Sequence, residues 1–521
     1  MLLTELPLDV LELVCSDLDA HSAVACGLVC RLMHRVVTSS LPVQYNIGLA
    51  MRGMRQGLSE AISLAERLKN LERLEVAWRE GSWKETFRHE LRIPTHYDHV
   101  CHADEYVLTW IPEDGQVHIV RLPSPLRGIA LEEYRWEFIP PEDVDPRRRI
   151  ITLLDPPNNL AMFVVTTWHG PQGNDQRLAL HPFELSSGNT PAAMLPHTTV
   201  VLQEKRFTYW KPVLRGELLL MELDQSDESQ GIMVYNWVTQ KRVLLVRRAM
   251  SFVTFLDDNR IIASFLRKVK LQGAYPRLRI YNLSELDTDG QARATHDFDL
   301  PLRSDIKLEP GWFRIGRECG YPAYASGGSY FSDDDEAVVY FSPSVMIRRK
   351  RYTLEMYLWM SEIGRIAASL PGSQDTIVIP WSTWGHAARL ALQPSQTTHV
   401  MPDVVGTRGY TLCKDEARSF HVYDHHRARV RRARSQPSTD AFTIKQYPPL
   451  DLAVLREGEI QPGSPAIPLS SEHVDHLIKL PIPSSSPPPY EFVLSGDVIL
   501  VREQTEKYHG HTKAIAAYSL V

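Results

Sequence analysis

The sequence predicts an α+β multidomain chain: three short N-terminal helices and a linker helix, followed by a mainly-β domain with the spacing of a degenerate β-propeller. Two observations carry this. Up to about residue 95, apolar residues recur at helical intervals; beyond it, short strand-like runs alternate with turn residues. The later unit is a strand, a turn, an alternating strand ending near Tyr or Trp, and a return strand. Its recurrence every roughly 40–60 residues favours a propeller over a sandwich. A chain of 521 residues can bury such a body without disulfide staples.

Pro7 suits the start of a first helix, where its missing N–H costs nothing, and Val10, Leu11, Val14 and Leu18 then share a face. Ser22 is a candidate cap for a second helix carrying Val24, Leu28 and Val29. A third runs from about Cys30 to Val37, with Arg31, His34 and Arg35 on its wetter side. Each is too short to be stable alone, so they must pack together or on a partner. An amphipathic helix is expected over 59–78, capped by Ser59, with Leu64, Leu68, Leu71, Leu74 and Trp78 on one side. The expected division is 1–45, a helical linker at 46–94, and a target-binding β domain at 95–521.

Strand-like runs include Tyr106–Trp110, Gln116–Arg121, Leu160–Trp168, Gly231–Val238, Ile261–Phe265, Thr353–Trp359 and Tyr490–Leu494. Trp110, Trp168, Trp210, Trp237 and Trp359 lie in or beside strands, where core packing is their expected role. A basic run at 425–437 and a Pro/Ser-rich run at 481–489 read as exposed loops, since successive prolines remove ladder donors.

Composition narrows the function classes. A formal net charge of −6 and a pI near 6.4 give no electrostatic footprint for nucleic acid. Six scattered cysteines, none in a Cys-x-x-Cys pair, read as free thiols in a reducing compartment. Asp9, Glu12 and Asp17 interrupt the N-terminal apolar residues, which excludes an ordinary signal peptide, and no run is long enough to span a bilayer. The expectation is a soluble intracellular chain in the cytoplasm, or in the nucleus if the cluster Arg427–Arg434 serves import.

No nucleophile elbow, phosphate loop or dinucleotide fingerprint is present, so an enzyme is not expected. His425, His426, His473, His476, His509 and His511 lack matching thiolates, and the acidic run Ser332–Glu336 lacks calcium-loop order. No metal or cofactor is expected.

Leu6-Pro7-Leu8-Asp9-Val10-Leu11 through Leu18, then Val29-Cys30-Arg31 through Val37, resembles an F-box. The region after it, with Leu58-Ser59, Ala65–Leu68, Ala77-Trp78-Arg79, Trp83 and a late Trp381-Ser-Thr-Trp384-Gly385, is similar to a large family of mushroom-type fungal F-box proteins with a divergent β-propeller-like C-terminal region. The resemblance implies a substrate-recognition adaptor of an SCF-type cullin–RING ubiquitin ligase. It implies binding to a Skp-type linker through Leu6, Pro7, Leu11, Val14, Leu18, Val29, Cys30 and Arg31, and to a protein target through the β domain. Two departures stand out: Ala20–Val24 replaces the usual acidic-leucine opening of the second helix, and Met33 replaces a frequent late Trp. The alternative is a stand-alone β-propeller scaffold with a degenerate F-box.

Overall fold

The computed structural model describes residues 6–520 apart from 58–61, 97–99, 104, 141–149, 170–174, 192–197, 203–206, 226–229, 248, 270–272, 287–289, 301–306, 309–314, 317–329, 333–337, 342–343, 348–349, 371–375, 395–402, 406–407, 413–418, 425–442, 447–471, 480–489, 496 and 505–510. Ser59, the acidic run after Ser332, His425, His426, His509 and the loops at 425–437 and 481–489 lie outside the described residues.

Five helices open the chain: α1 (Leu8–Ser16), α2 (Ala20–Gly27), α3 (Arg31–Ser39), α4 (Leu41–Ala50) and α5 (Leu64–Glu80). The sequence reading anticipated all but α4. Two caps differ from expectation. Asp19, not Ser22, caps α2, accepting from the Ser22 amide at 3.0 Å and its hydroxyl at 2.6 Å. A carboxylate satisfies both groups, so Ser22 is drawn inside the helix as a donor. Ser63 caps α5, accepting from the Glu66 amide at 3.3 Å, and Gly81 ends the helix with φ 66°, a conformation that favours glycine.

α4 and α5 belong to one core. Tyr45 and Leu49 of α4 and Leu71, Leu74, Ala77 and Trp78 of α5 pack with Trp83, Leu126, Ile499, Val501, Tyr518 and Leu520. Gly48 of α4 faces Leu68 and Leu71 of α5, and Arg52 pairs with Glu75 at 2.7 Å. The linker is therefore fixed to the strand region on one side and to the N-terminal helices on the other.

After the short strand Met54–Gln56, the continuous strand region begins at Trp83 rather than near residue 95. Among the described residues, seven sheets of four to six strands follow one another, beside a two-stranded pairing of Met54–Gln56 with Tyr330–Ser332. Sheet 1 contains Val100–Ala103, Tyr106–Ile111, Gln116–Arg121 and Glu132–Glu137. Sheets 2, 3 and 4 are similar antiparallel meanders beginning at Ile150, Phe207 and Ala249. Sheet 5 is built on Val338–Phe341 and Lys350–Trp359, and sheet 6 on Arg408–Leu412 and Ser419–Asp424. Sheet 7 contains Tyr490–Ser495, Val498–Gln504 and His511–Leu520, and its fourth strand is Trp83–His96 from the other end of the chain.

Neighbouring sheets share cores. Val100, Val107 and Val120 of sheet 1 pack on Leu500, Ile515 and Ala517 of sheet 7. Trp110 and Ile119 of sheet 1 pack on Phe163 and Val165 of sheet 2, and equivalent clusters join sheets 2 to 3 and 3 to 4. Asp403–Val405 of sheet 6 lies beside Val338–Phe341 of sheet 5 and Tyr490–Ser495 of sheet 7. Trp110, Trp237 and Trp359 are buried as expected; the side chains of Trp168 and Trp210 lie outside the described residues.

A repeat invisible in the sequence links five sheets. In each, an amide at or near the end of the third strand donates to the carbonyl of a polar residue just before the second: Leu122 to Glu105, Leu185 to Asn159, Trp237 to Glu217, Leu283 to Asn259, and Leu520 to Asp497. The donor residue is buried and apolar every time. The bond satisfies a backbone amide that leaves the ladder where water is excluded.

The turns also tie sheets together. Asp155 of sheet 2 accepts from the Gly216 amide of sheet 3, and Arg215 reaches Asp258 of sheet 4 at 2.8 Å. Burial pushes the Asp155 carboxyl up, against the hydrogen bonds from Gly216 and Asn158. Between sheets 7 and 1, buried Arg127 lies 3.5 Å from Asp497 and 3.8 Å from Glu105, and the Ser124 hydroxyl donates to Asp497.

The late Trp381-Ser-Thr-Trp384-Gly385 motif is a packing device. The two indoles meet edge to face at 4.6 Å, and Trp384 donates to the Asp299 carbonyl at 3.0 Å. A Cβ at Gly385 would stand 2.6 Å from the Trp381 ring. Just before the motif, Ile377–Ile379 adds a parallel fifth strand to sheet 4.

Candidate docking site on the N-terminal helices

The first four helices have their own core: Leu11, Cys15, Ala23, Met33, Val36, Val37 and Val43, with Leu6, Leu18, Cys26, Cys30, Leu32 and Ile47 packed around it. α4 completes it. Asn46 donates to the Ser16 carbonyl at 2.8 Å and Gln44 to the Val37 carbonyl at 2.6 Å, so one helix clamps the ends of α1 and α3. Burial pushes the Cys15 thiol up, which keeps it neutral. Met33 is 3% exposed, and its flexible side chain fills the interior at the position of the sequence departure.

This core separates the anticipated contact residues into two groups. Leu11 is fully buried, and Leu6, Leu18 and Cys30 are half-buried against the core, so these four set the shape of the unit. Pro7, Val14, Val29 and Arg31 face solvent. Leu13, 63% exposed, stands outside the anticipated contacts, and the sequence places Val10, Val24 and Leu28 only on helix faces, although Leu28 is 81% exposed. Val29 is 76% exposed. The signal for Leu13 was present: it lies about 160° around α1 from both inward-pointing Leu11 and Cys15, whereas Val10 and Val14, expected to share the face of Leu11, are also exposed.

A folded unit whose core is complete has no internal use for so many exposed aliphatic side chains. Acidic Asp9, Glu12 and Asp17 punctuate α1, while Arg31, His34 and Arg35 make α3 basic. An apolar surface with a polar rim is an association surface.

The F-box domain model matches residues 3–44. This segment is an F-box domain. Such domains in general bind Skp-type linkers of cullin–RING ligases. The match ends within α4, whose later residues Asn46 and Ile47 still pack on the same unit.

No curated protein matches the chain. Among solved structures, the chain is similar to a puromycin hydrolase, with TM-score 0.30, 12% identity and coverage of 61% of this chain and 41% of that one. It thus spans about two fifths of that enzyme's length. The WD40 domain of SCAP from fission yeast gives TM-score 0.28 and 8% identity over 80% of this chain and 82% of that one. The β-propeller domain of the Trilobed protease from Pyrococcus furiosus gives 0.26 and 8% over 71% and 96%. These likenesses are too distant to carry an argument about function. No described helix is long and apolar enough to cross a membrane.

Proposed function

We propose that the chain is a substrate-recognition adaptor of an SCF-type cullin–RING ubiquitin ligase. The F-box domain docks the Skp-type linker through Val10, Leu13, Val14, Leu28 and Val29, and the strand region captures a protein target. The observation that carries this reading is the exposure of those aliphatic side chains on a domain whose own core is closed.

The strand region is a seven-bladed β-propeller. Supporting this are the seven successive sheets, the cores shared by neighbours, the repeated third-strand bond, and the last sheet completed by Trp83–His96. The adaptor makes and breaks no bonds. Holding a lysine-bearing target beside the charged conjugating enzyme raises its effective concentration.

Capture of purified Skp-type linker by the full chain tests the docking half. Native protein retains the linker, whereas Leu28→Asp combined with Val29→Asp loses it with unchanged helical circular dichroism. Equal retention by both proteins, or none by the native chain, removes the basis for the reading. Leu11→Asp is unsuitable for this test, because it places a charge in the domain core.

A further inference from the structure

We infer that the seam between sheets 7 and 1 is a proton-sensitive latch on the closing strand Trp83–His96. His89 of that strand meets His118 of sheet 1 edge to face, with ring centroids 4.7 Å apart. Behind His89, Phe87 stacks at 6.4 Å, and Ile515 lies opposite it in the ladder. The His118 Nε2 is 3.0 Å from Glu133, and Glu133 also accepts from Arg135 at 2.9 Å.

The charged groups nearest the pair are Glu133 and Arg135 of Glu132–Glu137; sheet 7 contributes apolar Phe87, Ile515 and Ala517 and, in register with Ile515, Arg502, whose guanidinium donates to the Val100 carbonyl and lies 3.0 Å from His102 of sheet 1. With both imidazoles neutral, one carboxylate balances one guanidinium. With both protonated, three cations face a single anion. Burial, assisted by the neighbouring imidazole and Arg135, holds His89 below the ordinary histidine range, and burial does the same to His118 against the pull of Glu133.

The direction of the effect follows. The closed seam binds fewer protons than the open one, so its stability is intact above the ordinary histidine value of about 6.5 and falls as pH drops through it. Hydrogen bonds from Arg135 and His118 hold the Glu133 carboxyl below its usual range, and Arg88 does the same for Glu85, so carboxylate protonation belongs to a more acidic window.

Hydrogen exchange of the full chain at about pH 7.5 and about pH 5.5, normalised to intrinsic rates, tests this. Exchange in residues 83–96 rises by at least about threefold on acidification, while residues 231–236 of sheet 3 do not respond. His89→Gln with His118→Gln abolishes the rise. Glu133→Gln enlarges it, because His118 loses the carboxylate that offsets its charge. An absent response, an equal response in both segments, or a rise that survives the double histidine variant overturns the latch.

Discussion

The two ends of the molecule use aliphatic side chains in opposite ways. In the F-box domain, a small core centred on Leu11 and Val36 is complete, yet Leu13, Leu28 and Val29 remain in water. In the strand region the same residue types are consumed between sheets: Leu108, Ile119, Phe163 and Val165 are all fully buried. The difference teaches that hydrophobicity alone does not locate a docking site. What distinguishes one is an apolar residue with no interior left to fill.

Three perturbations sharpen this contrast. The largest effect is expected from cutting between the two regions. A 95–521 fragment loses most of Trp83–His96, leaves sheet 7 without its fourth strand, and exposes Tyr518 and Leu520. It should show no cooperative thermal transition, whereas a 62–521 fragment retaining α5 should melt cooperatively. Similar melting of both would show that the pairing of Trp83–His96 with His511–Leu520 contributes little.

Next is Arg127→Ala, which removes the cation from buried Asp497, leaving it the Ser124 hydroxyl, and leaves buried Glu105 to Arg121. Removing one partner of such a group costs about 3–5 kcal/mol, measurable by urea unfolding. A loss near zero would mean that water already solvates the cluster. The third perturbation pairs two leucines of the F-box. Leu11→Ala should destabilise that domain by about 2–4 kcal/mol through an internal cavity, while Leu28→Ala should leave its stability within about 0.5 kcal/mol. Equal losses would erase the distinction between core and docking surface.

Much of this architecture was legible in the residues. The Leu-Pro start, the Val-Cys-Arg run and the spacing of Leu64, Leu68 and Leu71 place α1, α3 and α5 correctly to within a few residues. α4 was hidden because Pro42 and Gly48 are both poor helix formers, and its stability comes from packing on α5 and from the Asn46 and Gln44 clamps. The closing strand was hidden for a different reason. Trp83–His96 carries Lys84, Glu85, Arg88 and Pro94, an unpromising composition for a strand, and its partner lies at the other end of the chain. Val10, Leu13 and Leu28 of the proposed docking surface were not anticipated as contacts because periodicity shows which residues share a face, not which face is already covered. Leu28 follows α2 directly and reads as a continuation of its apolar side.

The closing strand also bears on how the protein is made. Thr86 and Ser519, whose hydroxyls meet at 2.8 Å, are 433 residues apart in the chain. On the ribosome, the F-box domain and α5 emerge first, and Leu71, Leu74 and Trp78 must then wait for Tyr518 and Leu520 before their core can close. At about 5–20 residues per second, that interval lasts tens of seconds. An apolar helix and an unpaired strand edge are exposed throughout it, and synthesis of His511–Leu520 is the step that completes both.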